Sequence, residues 1–69
     1  MANIHAIREY DFYGREFVDI LYSKDGYITR VYTMPKEEMP KTARKWMEGK
    51  VGETQKSWFH DERIVKLYR

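Results

Sequence analysis

A chain of 69 residues without cysteine is read as one domain, residues 1–69, that must hold itself together by packing or by association with another chain, with neither a disulfide nor a thiolate metal site. Thirteen Lys and Arg stand against eleven Asp and Glu, a net charge of +2 with both signs interspersed, and this argues against a broad basic footprint for nucleic acid. No signal-peptide pattern opens the sequence and no run approaches the ~20 apolar residues of a membrane span, so a soluble cytoplasmic protein with no membrane partner is expected.

Along the chain, Ile4 to Phe12 reads in two ways. Ile4, Ala6, Tyr10 and Phe12 fall at even spacing, as in a strand, whereas Ile4, Ile7 and Arg8 have helical spacing. The aromatic end of the segment favours the strand, joined to the next element through Tyr13-Gly14. Arg15 to Ser23 and Tyr27 to Thr33 are rich in β-branched and aromatic residues, and the Asp-Gly between them marks a hairpin. Its register is open between a three-residue loop with a glycine bulge and neighbouring loop lengths, and a one-residue slip exchanges the faces. Side-chain pairing favours Asp19 opposite Arg30, which sets Phe17 against Tyr32 and Leu21 against Ile28. Val18, Ile20, Tyr22, Tyr27, Thr29 and Val31 then fill the other face.

After Thr33 the period changes. Met39, Ala43, Trp46 and Met47 lie on one side of a helix that starts near Glu38 or Met39, keeps Pro40 in its first turn and ends at Gly49 and Gly52. Lys41, Arg44, Lys45 and Glu48 face solvent, and Val51 to Lys56 is a polar loop or frayed turn. Trp58-Phe59 and the polar His60-Asp61-Glu62 lead to a closing strand from Arg63 to Tyr68. Together these elements predict an α+β fold of order β-β-β-α-β, a small antiparallel sheet with one helix packed on one face.

The chemistry in this inventory is sparse. No Gly-rich phosphate loop, Ser-His-Asp pattern or paired-histidine motif is found. His60 and Glu62 could share a face, but a polar turn explains them better than a metal or catalytic site, because the further ligands are missing. The expectation is a protein with no catalytic residue, no cofactor and no metal. Lys36, Lys41, Arg44, Lys45, Lys50 and Lys56 surround Trp46 and Trp58, as phosphate and base contacts can, yet Glu37, Glu38, Glu48 and Glu53 interrupt them. Nucleic-acid binding through Lys41, Arg44, Lys45 and Lys50 is therefore the alternative reading.

The main reading concerns the sheet. One helix covers one face, and the charge-free side of Val18, Ile20 and Val31 is the one assigned to it. The other side leaves Phe17, Leu21, Ile28, Tyr32 and Met34 partly exposed around Asp19 and Arg30, apolar surface rimmed by charge of the kind that binds partners. These seven residues predict a non-enzymatic protein-interaction module that docks on another protein or on a second copy of itself. Short viral and mobile-element proteins that inhibit or redirect host enzymes share this economy of size, an analogy of scale alone.

Overall fold

Two positive-φ dipeptides fold the first half of the chain. In the computed structural model, which describes residues 3–57 and 63–69, Tyr13 and Gly14 have φ of 51° and 80°, and Asp25 and Gly26 have φ of 53° and 84°. Positive φ at both central residues is the type I′ geometry, whose twist matches that of the strands it joins. Each dipeptide therefore makes a tight hairpin: β1 (Asn3–Phe12) closes on β2 (Arg15–Lys24), and β2 closes on β3 (Tyr27–Pro35). Asp11 Oδ1 accepts the Gly14 N–H at 3.0 Å and anchors the first turn. Ile4 to Phe12 is thus strand, and the helical alternative falls away.

Beyond β3 the chain crosses one face of the sheet. Pro35 leads into a 3-10 turn, Lys36–Glu38, and α1 follows at Lys41–Glu48 with Pro40 as its N-cap and Gly49 as its C-cap. The helix begins later than expected because Met39 precedes a proline, which pushes it out of the helical region to a ψ of 135°. Glu37 and Glu38 consequently sit in the 3-10 turn and not in the first turn of α1. The crossover delivers β4 (Gly52–Ser57) to the far edge, where it pairs with β5 (Arg63–Tyr68), and β5 returns to lie beside β1. The five strands, all antiparallel, run in the order β3-β2-β1-β5-β4.

The expected α+β fold is present, with one more strand than the sequence suggested. Gly52 to Ser57 reads as loop because Glu53, Thr54, Gln55 and Lys56 are all exposed, and an edge strand wet on both faces has no alternation to show. Gly52 has a packing role as well. A Cβ there would stand 2.6 Å from Lys66 Cε and 2.8 Å from Tyr68 Cε1, so the missing side chain is what lets the Tyr68 ring lie across β4. Residues 58–62, which include Trp58-Phe59 and the His60-Asp61-Glu62 cluster, lie outside the described residues.

The core sits between α1 and the centre of the sheet. Ile7, Val18, Ile20, Met39 and Ala43 are buried there, with Trp46, Met47, Tyr22, Met34 and Tyr68 packed around them. Each fully buried Ile or Val contributes about 1.5–3 kcal/mol over an exposed one. The helix stripe read from the sequence is the stripe that packs. Val18 and Ile20 also face α1 as expected, but Val31 does not. Among the described residues no helix is long and apolar enough to cross a membrane.

The hairpin register departs from the expected one. Asp19 stands opposite Thr33, Leu21 opposite Val31 and Ile20 opposite Tyr32. Two local features set this: the Asp25-Gly26 loop pairs Lys24 with Tyr27, and a bulge in β3 between Ile28 and Arg30 adds a residue. Asp19 is accordingly not the partner of Arg30. Its carboxylate is 2% exposed and takes Arg8 Nη2 at 3.1 Å, the Tyr10 hydroxyl at 2.8 Å and the Thr33 hydroxyl at 2.8 Å. On the same second face Ala6, Tyr10 and Val65 are buried and Phe17 and Leu21 half-buried, so its middle is closed and apolar exposure is confined to its margins at Phe12, Ile28 and Val31.

Candidate functional site

Among the described residues no strand lies beyond β3 or β4, and these two edges of the sheet differ in chemistry. β4 reads Gly-Glu-Thr-Gln-Lys-Ser, polar and charged throughout. Edges of that composition resist pairing with other chains. β3 reads Tyr-Ile-Thr-Arg-Val-Tyr-Thr-Met-Pro and is exposed continuously from Tyr27 to Thr33. It carries no lysine and no carboxylate, and its proline comes at its last position. The bulge at Thr29 interrupts it once, and from Arg30 to Met34 its pairing with β2 is regular. Main-chain N–H and C=O groups directed away from β2 along this stretch have no strand beside them in the described sheet.

Parity around the bulge decides what each side of β3 presents. Ile28 and Val31 share the second face with Leu21 and Asp19. Thr29, Arg30, Tyr32 and Met34 look to the helix side, where they meet a groove of about 730 Å³. This groove exists because α1, at eight residues, is roughly 12 Å long and does not reach the β3 side of the face. Ile20, Met34 and Pro40 supply apolar lining. Tyr22 and Tyr32 meet edge to face, ring centroids 5.6 Å apart at 85°. Lys24 and Arg30 bring positive charge to the same groove.

The expected seven-residue surface is thus divided between two faces. Phe17, Asp19, Leu21 and Ile28 belong to one, Arg30, Tyr32 and Met34 to the other, and β3 is the element on which the two sets meet. Asp19 is enclosed and committed to Arg8, Tyr10 and Thr33, so the exposed charge of this region is Arg30 alone of the expected pair. Arg30 Nη1 donates to the Tyr32 hydroxyl at 3.0 Å, which holds the guanidinium along the edge. Sequence reasoning missed Lys24 and Pro40 as groove residues. Lys24 follows Tyr22 by two residues on β2 and so shares its face, a signal present in the alternation of the strand, whereas nothing local ties Pro40 to β3.

The cations read as a nucleic-acid footprint are exposed on α1 and just after it, with mixed engagement. Arg44 Nη2 donates to the Lys36 carbonyl at 2.8 Å, and Lys50 Nζ lies 4.8 Å from the centroid of the Trp46 ring. Lys41 and Lys45 make no ion pair among the described residues. Lys36 is drawn into the fold, its ammonium 3.1 Å from Glu9 Oε2 and 3.9 Å from Glu16 Oε2. The Glu9 hydrogen bond holds its pKa above the ordinary lysine value of 10.5, against an opposing push from partial burial. Arg15 pairs with Glu37 and Arg69 with Glu53. No three His, Asp or Glu side chains among the described residues are grouped to hold a metal.

Neither a family model, nor a curated protein, nor a solved structure matches this chain.

Proposed function

We propose that the chain is a non-enzymatic binding module that docks on another protein through the β3 edge. One observation carries the reading: of two free edges, β4 is guarded by charge while β3 stays exposed over Tyr27–Thr33 with Ile28, Val31 and Tyr32 each more than two-fifths accessible. A long, largely apolar edge interrupted by one bulge and one charge can template strand addition, and it persists in a small protein when a partner covers it. In so small a fold the docking itself is the activity, and it acts by occupying or redirecting the partner, as an inhibitor or regulator does.

The test uses a photo-crosslinking amino acid at position 32, with position 54 on β4 as the control edge, expressed in the native host. A discrete adduct from position 32 and none from position 54 is the expected result. Equal labelling from both edges, or none from either, overturns the reading. Nucleic-acid binding through Lys41, Arg44, Lys45 and Lys50 is the second reading, favoured by the exposure of all four on and after α1. It predicts retention on mixed DNA or RNA that falls steeply with added salt.

A further inference from the structure

The charge around β3 says what kind of segment fits there. Lys24 and Arg30 both line the groove, and among the described residues neither makes an ion pair. Five carboxylates of the sheet and crossover have cationic partners: Asp19 with Arg8, Glu9 and Glu16 with Lys36, Glu37 with Arg15, Glu53 with Arg69; Asp25 in the β2–β3 turn and Glu38 after β3 make no ion pair among the described residues, and neither lines the groove. The helix side of the edge is thus cationic and aromatic, through Arg30, Tyr32 and Lys24. Its other side is apolar, through Ile28 and Val31, and carries no charge.

We infer that the partner contributes an extended acidic segment that adds to β3 as a sixth strand, its carboxylates meeting Arg30 and Lys24 in the groove and its alternate apolar side chains covering Val31 and Ile28. This rests on the docking role proposed above and adds the chemistry of the occupant. Successive side chains of a strand point to opposite faces, so a segment alternating acidic with apolar residues satisfies both sides of β3 at once. The guanidinium is suited to the acidic half, since its fork pairs with a carboxylate through two hydrogen bonds and it is already oriented by Tyr32. A second copy of the chain is the poorer occupant. β3 contains no carboxylate, so self-pairing would bring a second Arg30 to the edge with no carboxylate of the added strand to meet it.

Titration of the isotope-labelled protein with three short peptides, alternating valine with glutamate, glutamine or lysine, tests this by amide chemical shifts. The glutamate peptide is expected to shift the Tyr27–Met34 amides and to bind roughly tenfold more tightly than the glutamine peptide. Arg30→Gln, at an exposed position, is expected to abolish that preference with the remaining amide spectrum unchanged, and Val31→Lys to weaken both peptides together. Equal affinity for glutamate and glutamine, tighter binding of lysine, or no shift in Tyr27–Met34 with any peptide at millimolar concentration overturns the inference. So does a concentration-dependent dimer that Val31→Lys dissolves, which would assign the edge to a second copy. An adduct from position 32 alongside a failed glutamate preference rejects the acidic occupant and leaves the docking edge standing; loss of that adduct removes both.

Discussion

Replacing Asp19 by alanine tests the polar centre of the second face. The carboxylate is 2% exposed and is held by Arg8 at 3.1 Å, the Tyr10 hydroxyl at 2.8 Å and the Thr33 hydroxyl at 2.8 Å. Hydrogen bonds to a charged group contribute roughly 1.5–3 kcal/mol each. Removing one member of a buried pair costs about 3–5 kcal/mol. Arg8 keeps its side chain 19% exposed, so the lower half of that range applies, about 3–4 kcal/mol. A domain of this length has only roughly 3–10 kcal/mol in total. The midpoint of thermal unfolding, followed by circular dichroism, is then expected to fall by at least about 12 °C. Asp19→Asn, which keeps the shape and one acceptor, should fall by about half as much. A loss under about 1 kcal/mol for Asp19→Ala is what a solvated ion pair would give, and it would refute the buried network.

Further predictions concern the edges and the crossover. Lys36 has a folded pKa above 10.5, chiefly through Glu9, so the stability it adds is full below pH 10.5 and lost as pH rises through the folded value; Lys36→Met should remove that alkaline loss from the unfolding midpoint measured against pH. Gly52→Val should lower stability by about 1–3 kcal/mol, as overpacking does, because the new side chain enters the space of Tyr68 and Lys66, and its signature in chemical shifts is displacement of the Tyr68 ring. Tyr13 holds a φ of 51° in the first turn, a conformation asparagine adopts more readily, so Tyr13→Asn should raise the stability measured by urea unfolding by on the order of 1 kcal/mol; a lower stability would show that the Tyr13 contact with Phe12 outweighs the backbone strain.

Strong local chemistry was legible in the sequence. The Asp25-Gly26 hairpin, the Met39, Ala43, Trp46 and Met47 stripe and the last strand arise from rules that act over a few residues, and each stands in the structure. The features that were not legible depended on partners distant in the chain. β4 has no apolar alternation because neither of its faces is buried, and Gly52 reads as a terminator although its role is to make room for Tyr68. The register of β2 against β3 was missed because Asp19 has a more favourable set of partners than Arg30. Arg8 on β1 supplies the guanidinium, and Thr33 supplies a hydroxyl, neither of which is visible from the hairpin alone. The candidate site moved with the register: the seven residues chosen from the sequence fall on two faces that meet at β3, so the proposed surface is its edge and not one broad face.

That register also explains why so small a protein keeps a buried carboxylate. Asp19 draws on both neighbouring strands, Arg8 and Tyr10 from β1 and Thr33 from β3. A slip of β3 by one residue would set Tyr32 or Met34 opposite Asp19 and turn every β3 side chain to the wrong face. A slip by two would preserve the faces but offer Val31 or Pro35 where the hydroxyl is needed. Apolar packing distinguishes these states poorly, since Ile28, Val31 and Tyr32 are exposed in the native one. The polar cluster distinguishes them well, as a buried polar residue fixes register in other folds. By holding Thr33 opposite Asp19 it also fixes Arg30 and Tyr32 on the groove side and Val31 on the other. Arg30, the cation of the proposed docking edge, is thus positioned by a carboxylate that never reaches the surface, and Thr33→Val should blur both the register and the proposed preference for an acidic strand.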